Sequence, residues 1–244
     1  GFARATLAPR PGMQAAIPPL RSKPILTMKD MGMAHGGAMM ASHAGHGHRE
    51  KMDGMGDMDA MEHNTHQPMQ HHDHARGVGV DNVAMQPSSR LDEPGIGLEH
   101  ERHRVLRYSE LRSLVPHAAK GPPERHLEIH LTGNMERYMW SFDGKRFSEV
   151  KDPILFRQGE RIHLVLVNDT MMGHPIHLHG MFMELVNGQG SHQPRKHTVL
   201  VKPGERLALE IDADAPGDWA FHCHLLYHMH AGMFQVVRVQ GDRA

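Results

Sequence analysis

The chain has 244 residues and a net charge of -1, with 27 Lys and Arg against 28 Asp and Glu. This balance indicates neither a nucleic-acid partner nor a membrane-surface partner. No apolar run reaches the roughly 18 residues that a membrane-spanning helix needs. The unusual counts are 24 His, 20 Met and a single Cys. Imidazoles and thioethers are ligands that copper accepts well.

Composition divides the first half of the chain into three parts. Residues 1–27 are short apolar pieces broken by Pro and Gly, and they suit the tail of a preceding domain. Residues 28–90 form a Met/His-rich low-complexity segment, in which residues 28–77 hold ten Met and nine His but no aromatic residue. Such a composition buries too little apolar surface to offset chain entropy, so it predicts disorder without metal. Residues 91–123 are predicted to be a polar connector with one short helix-like piece, YSELRSLV.

From about residue 124 the sequence changes to short, roughly alternating runs that Gly, Pro, Asn and Asp separate at the spacing of strands and turns. The eight runs are HLEIHLTG, RYMWSFDG, RIHLVLVNDT, PIHLHGMFMELV, KHTVLVKPG, RLALEIDAD, DWAFHCH and MFQVVRVQ. Eight short strands predict an all-β Greek-key sandwich or barrel over residues 124–244.

The stretch HPIHLHG is the first candidate for metal chemistry, and it contains His174, His177 and His179. In an extended segment, residues two apart share a face. His177 and His179 are therefore expected to point one way and His174 the other, so that one stretch could serve two metal centres. The alternative is that these histidines have no metal role and simply occupy a half-buried strand. Three imidazoles within six residues favour the metal-binding interpretation.

The stretch HCHLLYHMHAGM is the second candidate, and it holds the only thiol. His222 and His224 flank Cys223 with the two-residue period of a strand, so the Cys is expected to face away from both. One Cys, two His and a weak axial Met form the blue-copper electron-transfer site. Cys223, His228 and Met233 supply three of these ligands, and His174 is a suitable fourth. A buried, inert thiol is the competing interpretation.

The two stretches together resemble the C-terminal copper signatures of the multicopper oxidases, most closely those of the copper-resistance (CopA/PcoA-type) branch. The segments LTGNMERYMWSFDG, NDTMMGHPIHLHG, PRKHTV and FHCHLLYHMHAGM carry the likeness, which covers most of residues 124–240. It implies a cupredoxin-like fold for the last domain, copper as the cofactor and a periplasmic location. The Met/His-rich insert and the start GFARATLAPRPGM also look like that branch, where they precede the last cupredoxin domain.

The resemblance also implies a role for each candidate ligand. The type 1 copper would be held by His174, Cys223, His228 and Met233. His177 would hold the type 2 copper, and the type 3 pair would be held by His179, His222 and His224. Electrons would pass from the type 1 copper through Cys223 to its two neighbouring histidines, the residues expected to carry the catalytic transfer.

The chain departs from the family pattern in one respect. A trinuclear cluster needs four more histidines, which the family takes from two His-X-His motifs in its first cupredoxin domain. Here the candidates are His46 with His48 and His72 with His74, and all four lie in low-complexity sequence. We therefore expect half of the cluster ligands to come from a missing N-terminal domain, and this chain alone to be inactive.

Two further residues near the second stretch matter for the interpretation. Tyr227 immediately precedes His228. Some laccases with a similar motif have an acidic residue at this position that helps to deliver protons, so this chain would need another proton donor. His230 lies two residues after His228, but the Gly-Met pair sets the axial ligand at Met233, so His230 is expected to be a surface residue or part of a copper entry route.

The Met/His-rich segment repeats Met at every third position from residue 52, at Met52, Met55, Met58 and Met61. The intervening Gly and Asp residues argue against a stable helix. Because thioethers select Cu(I), the segment is interpreted as a flexible copper-collecting arm. A linker of biased composition is the alternative.

The leading hypothesis is the C-terminal part of a copper-tolerance multicopper oxidase that oxidises Cu(I), and phenols as a second substrate class, while reducing dioxygen to water. A non-catalytic blue-copper carrier with a copper-sequestering arm is the alternative from a different class. It leaves His177, His179, His222 and His224 without a role. A two-domain laccase with a cluster between subunits would still need His-X-His motifs from another domain.

Overall fold

The computed structural model describes residues 5–17, 19–32, 76–118 and 120–241. Eleven strands within these residues form two β-sheets. The first sheet has six strands in the order β2 (Met139–Phe142), β1 (Arg125–Asn134), β4 (Arg161–Asn168), β9 (Arg206–Asp212), β6 (Met183–Leu185) and β7 (Arg195–Lys196). The second has five, in the order β3 (Ile154–Arg157), β11 (Phe234–Gln240), β10 (Gly217–Cys223), β5 (His174–Leu178) and β8 (Thr198–Val201).

Most neighbouring strands are antiparallel, and the pairs β1–β4 and β3–β11 are parallel. Neighbours such as β4–β9 and β5–β10 are far apart in sequence, so the chain crosses repeatedly between the two sheets. This is a Greek-key, cupredoxin-like β-sandwich, and the predicted all-β fold class is confirmed.

The core lies between the sheets because each strand turns alternate residues inward. Strand β9 shows the pattern most clearly, since Leu207, Leu209 and Ile211 are buried and the residues between them are partly exposed. The second sheet contributes Ile176 and Phe221 to the same core cluster. The inner face of β5 and β10 is therefore continuous with the apolar core, while their outer face is not.

One predicted strand and two helical segments differ from what the sequence predicted. The run PIHLHGMFMELV was expected to be one strand, but it divides at Gly180 into β5 of one sheet and β6 of the other. Gly180 has a φ of +75°, and a Cβ there would lie 2.2 Å from the Trp219 ring. YSELRSLV forms only the 3-10 turn Tyr108–Glu110, because Asn187 binds the carbonyls of Tyr108 and Leu111 and holds the rest extended. The α-helix α1 (Leu226–His230) follows β10.

Both ends of the Met/His-rich segment lie within the described residues and pack on the sandwich. The 3-10 turn Met28–Met31 places Asp30 against Arg90, whose Nη1 lies 2.8 Å from the Asp30 carboxylate in a buried ion pair. Gly32 accepts a hydrogen bond from the Gln86 amide at 2.7 Å. The two ends are thus joined to each other and to the loop of Gly204, which contacts Lys29.

Other predictions fall outside the part of the chain that the structure describes. They concern the methionine repeat of Met52, Met55, Met58 and Met61 and the histidines His46, His48, His72 and His74. Among the described helices, none has the length and apolar character needed to cross a bilayer.

Candidate metal centres

The pairing of β5 with β10 creates two groups of ligand side chains on opposite faces of one strand pair. In this antiparallel register His222 lies opposite His177, and Cys223 lies opposite Ile176. His174, Ile176 and Leu178 are the buried residues of β5, and His177 lies between them on the outer face. Alternation along both strands therefore separates the thiol from the imidazoles that flank it in sequence, as expected from the two-residue period.

The inner group consists of His174, Cys223 and His228, all of them buried. The Cys223 Sγ lies 3.7 Å from His174 Nδ1 and 3.9 Å from His228 Nδ1, and the two Nδ1 atoms are 3.2 Å apart. A trigonal ion with bonds of about 2.0 Å to nitrogen and about 2.3 Å to sulfur would separate such atoms by roughly 3.5–3.7 Å. The side chains present therefore fit a metal ion of that size.

Met233 is placed beside this group by the turn that follows α1. The Cys223 amide donates a hydrogen bond to the Met233 carbonyl at 3.1 Å, and the Met233 amide donates to the His228 carbonyl at 3.1 Å. The Met233 side chain is fully buried. These bonds close a short loop that holds the Met233 backbone against Cys223 and His228.

Thr170 fixes the orientation of His174. Its hydroxyl lies 2.7 Å from His174 Nε2 and 2.8 Å from Asn168 Oδ1. Because the hydroxyl donates to the Asn168 oxygen, it accepts from the Nε2–H of His174, which leaves Nδ1 unprotonated and facing the thiol. This tautomer is the one that a metal ligand requires.

Burial keeps the three inner groups uncharged when no metal is bound. Desolvation, with a smaller contribution from His228, lowers the pKa of His174 to about 3. Desolvation also lowers the pKa of His228. Burial raises the pKa of the Cys223 thiol to about 11. The thiolate is the ligating form, so a metal ion must displace a proton from Cys223 when it binds.

The outer group brings His177, His179 and His222 together, with one ligand atom from each within 4.8 Å of the others. The Nε2 atoms of His179 and His222 are 3.1 Å apart. His177 Nδ1 donates to the His197 carbonyl at 2.6 Å, and His222 Nδ1 donates to the Cys223 carbonyl at 2.9 Å. These bonds leave Nε2 of both rings free to bind a metal ion.

The fourth predicted imidazole of the outer group is more loosely placed. The His224 ring centroid lies 5.5 Å from that of His177 and 6.0 Å from that of His222, and the side chain is exposed. His230 is exposed at the end of α1, and Tyr227 is 79% exposed. Six of the eight predicted ligands therefore lie in the two groups, with His224 at the edge of the outer group and the Met233 backbone beside the inner one, whereas His230 belongs to neither.

Three residues at the two groups were not foreseen from sequence. Trp140 stacks on His228 with ring centroids 4.0 Å apart, Thr170 binds His174, and His197 has its ring centroid 5.2 Å from that of His177. Thr170 lies four residues before His174, so its proximity could have been suspected. Trp140 belongs to the other sheet, and no local pattern reveals its position.

Similarity to known proteins identifies the family. A profile for multicopper oxidases matches residues 120–243, which is more than half of the chain. The chain belongs to the multicopper oxidase family. Copper is the metal of this family, so copper is the ion expected at the two groups of side chains.

Individual relatives place the chain near one branch of the family. A copper resistance protein A homolog of Pseudomonas syringae pv. tomato is 48% identical over 98% of this chain and 42% of its own length. Copper resistance protein A of Escherichia coli is 43% identical over 98% of this chain and 44% of its own length. The multicopper oxidase MmcO of Mycobacterium tuberculosis is 41% identical over 46% of this chain and 22% of its own length. The similarity to the copper-resistance branch is thus confirmed, and the chain spans less than half of the length of these relatives.

Proposed function

We propose that this chain is the C-terminal part of a copper-resistance multicopper oxidase whose substrate is Cu(I). His174, Cys223, His228 and Met233 would hold the type 1 copper. The outer group would supply His177 to the type 2 copper and His179, His222 and His224 to the type 3 pair. When bound, copper at these two places supplies one-electron acceptance from the substrate and electron delivery to dioxygen.

One observation carries the proposal, which is that Cys223 connects the two groups. Its side chain belongs to the inner group, and its carbonyl accepts the hydrogen bond from His222 Nδ1 at 2.9 Å. A single residue thus touches both groups, through its thiol on one side and its peptide on the other. A carrier would need only the inner group, whereas an oxidase needs both groups and a short link between them.

The reaction balances as four Cu(I) ions giving four electrons to one dioxygen, which takes up four protons and leaves as two waters. His174, Cys223, His228 and Met233 would exclude water from a bound ion because all four are buried. His177 and His222 are favoured in the uncharged form that binds metal, since desolvation lowers the pKa of both side chains.

The remaining parts of the proposal concern the rest of the protein. The other four cluster histidines would come from cupredoxin sequence outside this chain, and residues 1–27 would be the tail of such a domain. The Met/His-rich residues 28–90 would collect copper, with residues 91–123 as the connector to the domain at 124–244. A periplasmic location is part of the same proposal and is supported by the similarity to copper resistance protein A.

Oxygen uptake tests the proposal. The copper-loaded full-length protein should consume one dioxygen for every four Cu(I) ions oxidised, and this chain alone should turn blue with copper yet consume almost none. Full-length protein that binds copper but takes up no oxygen with Cu(I) would support the second candidate, a blue-copper carrier. The observation in favour of that candidate is that His174, Cys223 and His228, the ligands that a carrier needs, come together within the described residues.

A further inference from the structure

The inner group of ligands is closed to direct contact from solvent. The exposed fractions of His174, Cys223 and Met233 are 0%, and that of His228 is 3%. An electron donor dissolved in water therefore finds no exposed surface on His174, Cys223 or Met233 and almost none on His228. An electron reaches the inner group mainly through residues that pack against it.

Trp140 is the side chain that lies against both imidazoles. Its ring stacks on His228 at a centroid distance of 4.0 Å and an interplanar angle of 19°, and it meets His174 edge-on at 5.1 Å. Only 1% of Trp140 is exposed. One indole thus covers the side of the inner group that faces the β1–β2 hairpin.

The local backbone holds the indole in this place. Gly133 is the cross-strand partner of Trp140, and a Cβ at Gly133 would lie 2.5 Å from the Trp140 ring. The indole Nε1 is buried and has no hydrogen-bond partner among the described residues. An unpaired buried donor costs about 1–3 kcal/mol. Packing against the two imidazoles, rather than hydrogen bonding, therefore accounts for the position of Trp140.

Tyr138 extends the aromatic contact to the surface. It is 50% exposed, and its ring centroid lies 6.1 Å from that of Trp140 and 6.2 Å from that of His228, edge-on in both cases. Aromatic centroids within about 7 Å are in contact distance. Tyr138, Trp140 and His228 consequently form an unbroken series of rings from solvent to the inner group.

We propose that electrons enter the inner group through Tyr138 and Trp140. Tyr138 is the surface residue that the electron donor contacts, and Trp140 is a positioning residue that couples Tyr138 to His228. The inference rests on the proposed copper at the inner group. For each electron transferred, the donor loses one electron and Cu(II) at the inner group would become Cu(I), while the rings of Tyr138 and Trp140 are unchanged at the end. When hydroquinone is the donor, it also releases a proton to water.

Anaerobic stopped-flow reduction of the blue form of this chain by hydroquinone tests the route without needing the outer group. Tyr138→Leu should slow the loss of blue absorption several-fold, and Tyr138→Phe should keep most of the rate because it keeps the ring. An unchanged rate in Tyr138→Leu would overturn the inference. So would an equal loss in Tyr138→Phe, since the hydroxyl and not the ring would then matter.

Two exposed aromatic residues serve as matched controls. Tyr227 is 79% exposed and precedes His228 in the chain, and Phe147 is 46% exposed with its ring packed edge-on against that of Phe234. Tyr227→Leu and Phe147→Leu should both be reduced at the parent rate. A slow Tyr227→Leu beside a normal Tyr138→Leu would place the entry point at Tyr227 and contradict the inference.

Tryptophan fluorescence gives a readout that needs no electron transfer. The chain has two Trp, so in a Trp219→Phe background excited at wavelengths that tyrosine does not absorb, Trp140 is the only tryptophan that emits. Titration of the metal-free protein with Cu(II) should quench this emission, and adding Cys223→Ser and His174→Ala together should remove most of the quenching. Equal quenching with and without these two side chains would mean that Trp140 does not report on the inner group, and the coupling through it would be rejected.

The outcomes separate this inference from the proposed function. If the protein turns blue and its Tyr138 variants are reduced at the parent rate, the proposed function stands and only the electron route is contradicted. A protein that never turns blue with copper fails the proposed copper site, and the route fails with it.

Discussion

Cys223 and His222 are consecutive residues of β10 whose side chains leave the strand on opposite faces. The thiol lies 3.7 Å from His174 Nδ1 in the inner group, and the His222 ring lies beside His179 in the outer group. A change at Cys223 can therefore remove the proposed ligand of one group while leaving the imidazoles of the other in place. This separation makes the first prediction possible.

Cys223→Ser should abolish the blue absorption of the copper-loaded chain. A serine hydroxyl does not ionise near neutral pH, and it gives no thiolate-to-copper transition. The visible spectrum of the copper-loaded variant measures the effect. His230→Ala is the matched control, since His230 is exposed in α1 and belongs to neither group, and it should keep the full colour. A blue Cys223→Ser protein would contradict the type 1 assignment.

The sequence predicted the division of the candidate ligands between two faces because strand alternation has a strict period of two. The stretches containing His174, His177 and Cys223 are short and extended in the structure, so their side-chain directions followed from residue number alone. Motif spacing added His228 and Met233, which lie in and just after the adjacent helix. Each of these inferences used only local geometry.

The remaining features depend on contacts between distant segments and were beyond a sequence pattern. Trp140 reaches His228 from the first sheet, and nothing in its own strand indicates which imidazole it will cover. The break at Gly180 depends on Trp219, which comes from β10. The packing of Asp30 on Arg90 joins residues 60 positions apart, so low-complexity composition gave no sign of it.

Met233→Leu should keep the blue colour and raise the reduction potential of the site. Leucine retains the buried volume but removes the weak thioether donor, which favours Cu(I) over Cu(II). Redox titration followed at the blue band measures the change. Met229→Leu, a change at a partly exposed methionine of α1, is the control and should leave the potential unaltered. An unchanged potential in Met233→Leu would show that Met233 is not the axial ligand.

Thr170→Val should weaken copper binding at the inner group by about 10- to 100-fold, the usual effect of removing a partner that orients a ligand. Valine has the shape of threonine but cannot accept the hydrogen bond from His174 Nε2, so the tautomer that exposes Nδ1 is no longer favoured. Competition with a chelator, followed by the blue absorption, gives the affinity. Thr170→Ser keeps the hydroxyl and should bind copper as the parent does. Equal affinities for the Val and Ser variants would contradict this role of Thr170.

Asp30→Ala should lower the free energy of unfolding by about 1–3 kcal/mol, the range for removing a buried hydrogen-bond partner, because Arg90 keeps its ion pair with Glu93. Both side chains of the Asp30–Arg90 pair are 6% exposed, so Arg90 would be left buried with less compensation. Urea unfolding measures the loss. Asp218→Ala breaks the exposed pair with Arg238 and should leave the unfolding midpoint almost unchanged. Similar midpoints for the two variants would show that the segment around Asp30 does not contribute to the stability of the sandwich.

Copper binding at the inner group should tighten as pH rises, by about tenfold per pH unit in the neutral range. Burial raises the pKa of Cys223 to about 11, so the metal-free thiol is protonated there and each copper ion bound releases one proton. His174 adds no slope because its pKa of about 3 lies below this range. The apparent affinity is therefore proportional to the thiolate fraction, which falls as pH falls.

Chelator competition from pH 6 to pH 8, read at the blue band so that copper bound elsewhere is not counted, should give a slope near one. Met233→Leu keeps both Cys223 and His174 and should show the same slope. A flat profile would mean that the thiol is already ionised before copper arrives, contrary to its burial.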